Sequence, residues 1–149
     1  MGMFDAFDIS ASALTAERMR MDVTAENLAN AQTTRTADGG PYRRKEVVLQ
    51  EVAKGDGFAG NLKAAMGARS SGRPGGVEVA GIAEDSTPNK MVYDPGHPDA
   101  DANGYVAMPN VDSVTEMVDL ISASRAYEAN VTALPSAKTM FSKTLDLLR

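Results

Sequence analysis

Apolar positions in the last third of the chain follow a strict 3-4 alternation: Met117, Leu120, Ser124, Tyr127, Val131, Leu134, Lys138, Phe141, Leu145 and Leu148. This is a heptad seam with polar interruptions at Ser124 and Lys138, and it predicts a long helix. A second seam of smaller residues runs beside it, through Ala123, Ala126, Asn130, Ala133, Ala137, Met140, Thr144 and Leu147. Two adjacent seams imply a helix that touches more than one neighbour. In "PNVDSVTE", Ser113 and Glu116 have capping-box spacing and mark the start. Pro135 lacks the N–H that would bond to Val131 and predicts a kink.

The N-terminus carries the same signal. Phe7, Leu14, Met21 and Leu28 recur every seven residues, with Ala11 and Ala25 on the same stripe. Ile9, Ala13, Ala16 and Val23 make a second stripe on roughly the opposite side, so this helix also has two faces to bury and runs to about Ala31. By periodicity alone the two ends could equally be halves of an ordinary helical hairpin.

The middle has another texture. "YRRKEVVLQEV" (42–52) and "GVEVAGIAED" (76–85) carry β-branched residues with partial alternation and predict strands. "GDGFAGNLKAAMGARSSGRPGG" reads as a loop or the end of a weakly ordered hairpin, and "KMVYDPGHPDADANGYVAMP" as strand, tight loop and strand. The expected fold is mainly α with a small β insert: long terminal helices paired as a coiled-coil-like hairpin, and a short β-hairpin region between them. The segments are an N-terminal helix in 1–35, a β-rich insert in 36–110 and a C-terminal helix in 111–149, forming one structural unit.

Composition narrows the picture. A chain of 149 residues suits one domain. Aromatics are only 5% against 43% hydrophobic, so alanine and nine methionines carry much of the apolar content and favour close helix packing. A net charge of −5 argues against nucleic acid as a partner. Without cysteine there are no disulfides or thiolate metal sites. No stretch reads as a cleavable signal peptide, a myristoylation signal or a membrane span, so no membrane insertion is expected.

Candidate chemistry is sparse. Asp99, Asp101, Asn103 and Gly104 match positions 1, 3, 5 and 6 of a calcium loop, but position 12 is Asn110, which cannot supply the bidentate carboxylate. Pro95, Gly96 and Pro98 also forbid the entering helix, and a turn built from Asp, Asn and Gly explains the same letters. His97 is the only histidine, too few nitrogen ligands for a transition metal and without a nucleophile motif to serve. Glu46, Glu51, Asp112 and Glu116 offer carboxylates with nothing to single out a pair. Arg43, Arg44 and Lys45 read as a solvated strand edge. No enzyme, cofactor or metal is expected.

Two motifs are more specific. "SALTAERMRMDVTAENLANAQTTRT" followed by "GGPYRRKEVVLQEV", and later "NGYVAMPNVDSVTEMVDLISASRAYEANVTAL", closely resemble the proximal-rod members of the flagella basal body rod protein family. The resemblance covers about residues 9–52 and 91–149. Its motif residues here are Asn27, Ala29, Asn30, Thr33, Thr34, Arg35, Gly40, Pro41 and Tyr42, while Glu26 stands where such proteins usually carry Asn. The resemblance implies that the terminal helices pair and that many copies pack into a hollow helical tube, part of the drive shaft crossing the periplasm. Phe7, Leu14, Met21, Leu28, Met117, Leu120, Tyr127, Val131, Leu134, Phe141, Leu145 and Leu148 would then be subunit-packing positions. It further implies contacts with other copies of the chain, with the rod proteins FlgB, FlgF and FlgG and with the rod-to-ring adaptor FliE. Delivery would be by the flagellar type III export apparatus, without a cleavable signal peptide. The alternative, from another class, is a small calcium-binding or regulatory module on a helical hairpin.

Overall fold

Each of the two heptad-patterned ends forms one long helix. The computed structural model describes residues 3–37, 39–54 and 73–147. Helix α1 spans Met3–Ala29 and helix α2 spans Ser113–Leu147. Between them lie four strands: β1 (Lys45–Lys54), β2 (Arg73–Glu84), β3 (Lys90–Tyr93) and β4 (Tyr105–Met108). β1 and β2 form one two-stranded sheet, and β3 and β4 form another. The fold is thus mainly helical with a small β insert, as the periodicity predicts. The loop reading for "GDGFAGNLKAAMGARSSGRPGG" falls mostly on 55–72, outside the described residues.

The start of α2 differs in detail from the capping-box expectation. Asp112, not Ser113, is the cap: its Oδ1 accepts from the Val114 N–H at 3.1 Å, and its Oδ2 accepts from the Thr115 hydroxyl at 3.2 Å. A carboxyl group at the helix start satisfies one orphan amide and suits the helix dipole. Glu116 is free of that duty because other partners hold it, as described below. The helix continues through Pro135 to Leu147. Hydroxyls line this stretch, with Ser136 Oγ donating to the Thr132 carbonyl at 3.0 Å and Thr139 Oγ1 to the Pro135 carbonyl at 2.9 Å.

Contacts divide the chain into two units that do not follow its linear order. One comprises 1–17, 49–80 and 125–149; the other comprises 18–48 and 81–124. Each long helix and both strands of the first sheet contribute to both units.

In the first unit, β2 is seated against α1. The Val77 N–H donates to Ser12 Oγ at 3.1 Å, while the Ser12 hydroxyl donates to the Ile9 carbonyl at 2.8 Å. Gly76 makes this possible: it has φ of +112°, and a Cβ there would collide with Ser12 Oγ.

In the second unit the apolar core is small: Val23, Tyr42, Val106, Val111 and Ala123. Two polar side chains, Asn27 and Glu116, are as deeply buried, each 1% exposed. The β3–β4 hairpin is antiparallel, pairing Lys90 with Met108, Met91 with Ala107, Val92 with Val106 and Tyr93 with Tyr105. Alternation places Val106 on the inner face and Met91, Tyr93, Tyr105 and Ala107 together on the other.

Candidate functional site

The second unit is organised around the Asn27 carboxamide, near the end of α1. Its Nδ2 donates to the Lys45 carbonyl at 2.9 Å and to Glu116 Oε2 at 3.0 Å. Its Oδ1 accepts from the Tyr42 hydroxyl and from the Lys45 N–H, each at 2.9 Å. Both donors and both lone-pair directions of one amide are therefore used. Only asparagine supplies two donors and two acceptors at this reach, which gives a physical reason for its place in the motif.

Glu116 carries the network onward. Its Oε1 lies 2.5 Å from Arg44 Nε, and Arg44 Nη2 reaches Asp119 Oδ2 at 3.4 Å. The Glu116 hydrogen bond, outweighing the opposing effect of burial, raises the Arg44 pKa above the usual guanidinium value. Lys45 Nζ donates to Glu26 Oε1 at 2.6 Å, which likewise raises the ammonium pKa, and the same nitrogen sits 5.6 Å from the Tyr42 ring centroid. Burial, with Glu26 next in importance, raises the Tyr42 phenol. Glu26 acts as the anion for Lys45.

The backbone around these side chains is stitched into the same joint. The Arg44 N–H donates to Asn110 Oδ1 at 2.8 Å, and the Arg44 carbonyl accepts from the Asp85 N–H at 2.8 Å. Asn110 Nδ2 in turn donates to the Thr87 carbonyl at 3.2 Å. The Tyr42 N–H donates to the Thr33 carbonyl at 3.0 Å, and the intervening turn closes where the Thr36 N–H meets the Gly40 carbonyl at 2.8 Å. Gly39 and Gly40, with φ of +83° and +107°, permit that reversal. A cavity of about 70 Å³ lined by Arg20, Thr24, Arg44, Glu116 and Asp119 among others adjoins the joint, with room for ordered water.

The motif residues meet here to different degrees. Asn27 and Tyr42 are buried; Asn30, Thr33, Thr34 and Pro41 are half-buried; Ala29, Arg35 and Gly40 are exposed. Asn30 Oδ1 accepts from Thr33 Oγ1 at 3.1 Å, Thr34 Oγ1 donates to Asp99 Oδ2 at 2.8 Å, and Arg35 lies 3.9 Å from the same carboxylate. Sequence reasoning missed Arg44, Glu116 and Asn110. Arg44 is no solvated strand edge, since its side chain is 22% exposed and ion-paired with a buried carboxylate. Arg43 does remain exposed. The usable signal was a glutamate at the apolar-face register of α2, unexplained unless a cation meets it.

The packing positions spread over a range of exposures. Phe7, Leu14, Met21, Leu28, Leu120, Tyr127 and Leu134 are half-buried, whereas Met117, Val131, Phe141 and Leu145 are exposed. Leu148 lies outside the described residues.

The aspartate-rich loop is built as turns. Asp101 Oδ1 accepts from the N–H groups of Asn103 and Tyr105 at 2.8 and 2.9 Å, and Gly104 adopts φ of +80°. His97 Nδ1 accepts from the Asp99 N–H at 3.1 Å. The letters of the calcium pattern thus serve backbone turns. Among the described residues, no three or more His, Cys, Asp or Glu side chains are grouped to hold a metal ion, and no helix is long and apolar enough to cross a membrane.

Comparison with known proteins identifies the class. Residues 7–35 match the family described as Flagella basal body rod protein, and residues 102–147 match Flagellar basal body rod FlgEFG protein C-terminal. These spans contain the two helical partners of the joint, Asn27 and Glu116. Full-length relatives are more specific. The flagellar basal-body rod protein FlgC of Escherichia coli O6:H1 is 50% identical over 147 residues, covering 99% of this chain and 98% of its own. The FlgC proteins of Bacillus subtilis strain 168 and Borreliella burgdorferi are 50% and 44% identical, covering 99% and 100% of this chain and 99% of each relative. The chain belongs to the FlgC family of flagellar basal-body rod proteins.

Proposed function

We propose that this chain is a structural subunit of the proximal rod of the bacterial flagellar basal body, built into a hollow helical shaft that transmits torque across the periplasm. The observation that carries the assembly mechanism is the apolar surface of α2. Val131, Phe141 and Leu145, all on the predicted seam, are 43%, 40% and 52% exposed, and Met140 beside them is 67% exposed. A helix with this much apolar surface calls for cover from neighbours. Contacts of this kind that repeat without closing generate a filament. The seam residues Phe7, Leu14, Met21 and Leu28 of α1 and Met117 to Leu145 of α2 are the packing positions in this reading.

The polar joint has a different task. It ties the connecting segment 30–44 to the end of α1 and the start of α2 within the second unit. Neighbours in this reading are further copies, the rod proteins FlgB, FlgF and FlgG, and the adaptor FliE. Delivery is by the flagellar type III export apparatus. The role is mechanical, with no catalytic step.

The test is Val131→Asp. Because Val131 is already partly wet, the free subunit should stay folded and soluble, while a charge in the lattice contact should block incorporation. The expected result is non-motile cells whose isolated basal bodies lack the subunit. Normal incorporation and motility would remove the 117–148 seam as an assembly surface.

A further inference from the structure

The second unit leaves two apolar patches open. One is a ridge on the first half of α2: Val114, Met117, Val118 and Ile121, exposed by 65%, 46%, 61% and 54%. Their i, i+3, i+4, i+7 spacing puts them on one face, turned away from the buried face marked by Glu116 and Ala123. The other is the outer face of the β3–β4 hairpin, where Met91, Tyr93 and Tyr105 are 58%, 64% and 43% exposed. The two tyrosine rings meet edge to face at 5.3 Å with their planes 65° apart, a contact that preorganises this aromatic face.

We infer that the outer hairpin face of one copy seats on the α2 ridge of the next copy, giving a head-to-tail contact that takes in Met117, the first position of the helix seam, and extends beyond it. This inference rests on reading the chain as a rod subunit. The patches differ in chemistry, two tyrosines with a methionine against an aliphatic ridge, and they lie on one unit of one chain. That is the requirement for a heterologous contact, in which two unlike surfaces of the same molecule meet and repeat. Neither patch contains a charged side chain, so mating them buries no unpaired charge, and neither suits a polyanionic partner. Size points the same way: three or four large side chains about half exposed offer roughly 400 Å² per side, about half of the ~800 Å² per partner in a stable interface. Such a contact is too small to hold an isolated pair. It suffices only when other contacts of an array already hold the copies side by side.

The experiment places the photoreactive amino acid benzoyl-phenylalanine at position 93, an exposed aromatic site, in flagellated cells. Isolated basal bodies are then irradiated and the adducts mapped by mass spectrometry. The expected result is an adduct joining position 93 to residues 114–121 of a second copy, lost when Val118→Asp is added. Since the natural chain has no cysteine, a Met91→Cys/Ile121→Cys double variant with a short bis-maleimide is a second assay on a clean background. It should give a multimer ladder that neither single variant gives. A subunit that enters the basal body but cross-links at position 93 to another protein, to another surface of its own kind or to nothing overturns the inference and leaves the rod reading intact. Absence of the unmodified chain from basal bodies removes both.

Discussion

Arg44 Nε lies 2.5 Å from Glu116 Oε1, pairing a guanidinium 22% exposed with a carboxylate 1% exposed. Removing one member of such a pair strands the other, whereas replacing both by apolar groups of similar shape is far less costly. Glu116→Ala or Arg44→Ala should each lose about 3–5 kcal/mol of stability. The double variant Arg44→Met/Glu116→Leu should lose clearly less than the sum. Urea unfolding of the three variants checks this, and strict additivity would mean the pair is not coupled.

Asn27→Asp changes one atom and should be as damaging as a cavity. It turns a donor into an acceptor facing both the Lys45 carbonyl and Glu116 Oε2. The introduced carboxyl would be buried beside an acid, so its folded pKa would be raised. A group with a raised pKa stabilises the fold below its unfolded value, about 3.9 for aspartate, and that contribution is lost as pH rises. The deficit relative to the natural chain should therefore be several kcal/mol at neutral pH and smaller near pH 4, as read from urea midpoints at the two pH values.

Alkaline pH should loosen the same joint. Tyr42, Arg44 and Lys45 all have raised pKa values, from burial for the phenol and from hydrogen bonds to Glu116 and Glu26 for the cations. Each binds its proton more tightly folded than unfolded. Their contribution is full below the unfolded values, about 10 for tyrosine and lysine, and is lost as pH rises through the folded ones. Denaturation midpoints should hold up to about pH 10 and fall above it, through Tyr42 and Lys45, since Arg44 keeps its proton over that range. Tyr42→Phe should flatten that fall while costing about 1 kcal/mol at neutral pH through the lost bond to Asn27.

Gly76→Ala tests the other unit. The position combines φ of +112° with a path blocked by Ser12 Oγ. Both strain and collision act against alanine, so a loss of about 2 kcal/mol or more is expected. The double variant Gly76→Ala/Ser12→Ala removes the collision but not the strain, and should recover part of the loss in thermal melts.

Hydrogen exchange on the dilute monomer should separate the two ends of α2. Amides near Glu116 and Ala123, packed at the joint, should be the slowest, while those from Val131 to Leu145, where apolar side chains face solvent, should exchange early. Uniform protection along 113–147 would count against apolar surface left for assembly.

The elements were legible because period 3.6 and period 2 are written plainly: the heptads of Phe7 to Leu28 and Met117 to Leu145 became α1 and α2, and the β-branched runs became strands. The turn at Asp101 was legible for the same local reason. The joint was not. Asn27 and Tyr42 stood out only through the family resemblance, and Arg44 passed for an exposed strand edge because its partner is 72 residues away. Spacing places Glu116 in a capping box because it reports local options; that Asp112 caps α2 and Arg44 holds Glu116 is decided only in three dimensions.

The hydrogen bond from Asn27 to Glu116 spans 89 residues, and this has a consequence for the order of folding. Three of the four Asn27 bonds go to Tyr42 and Lys45, 15 and 18 residues away, but the fourth and the partners of Glu116 wait for most of the chain, so the complete joint cannot serve as an early nucleus. Loop-closure entropy must be met before this contact returns anything. A chain appearing N-terminus first could match Asn27 to Tyr42 and Lys45 but would leave its bond to Glu116 unmade until residues 110–119 arrived. Completion of the subunit is in this sense a late event, triggered by the start of the last helix.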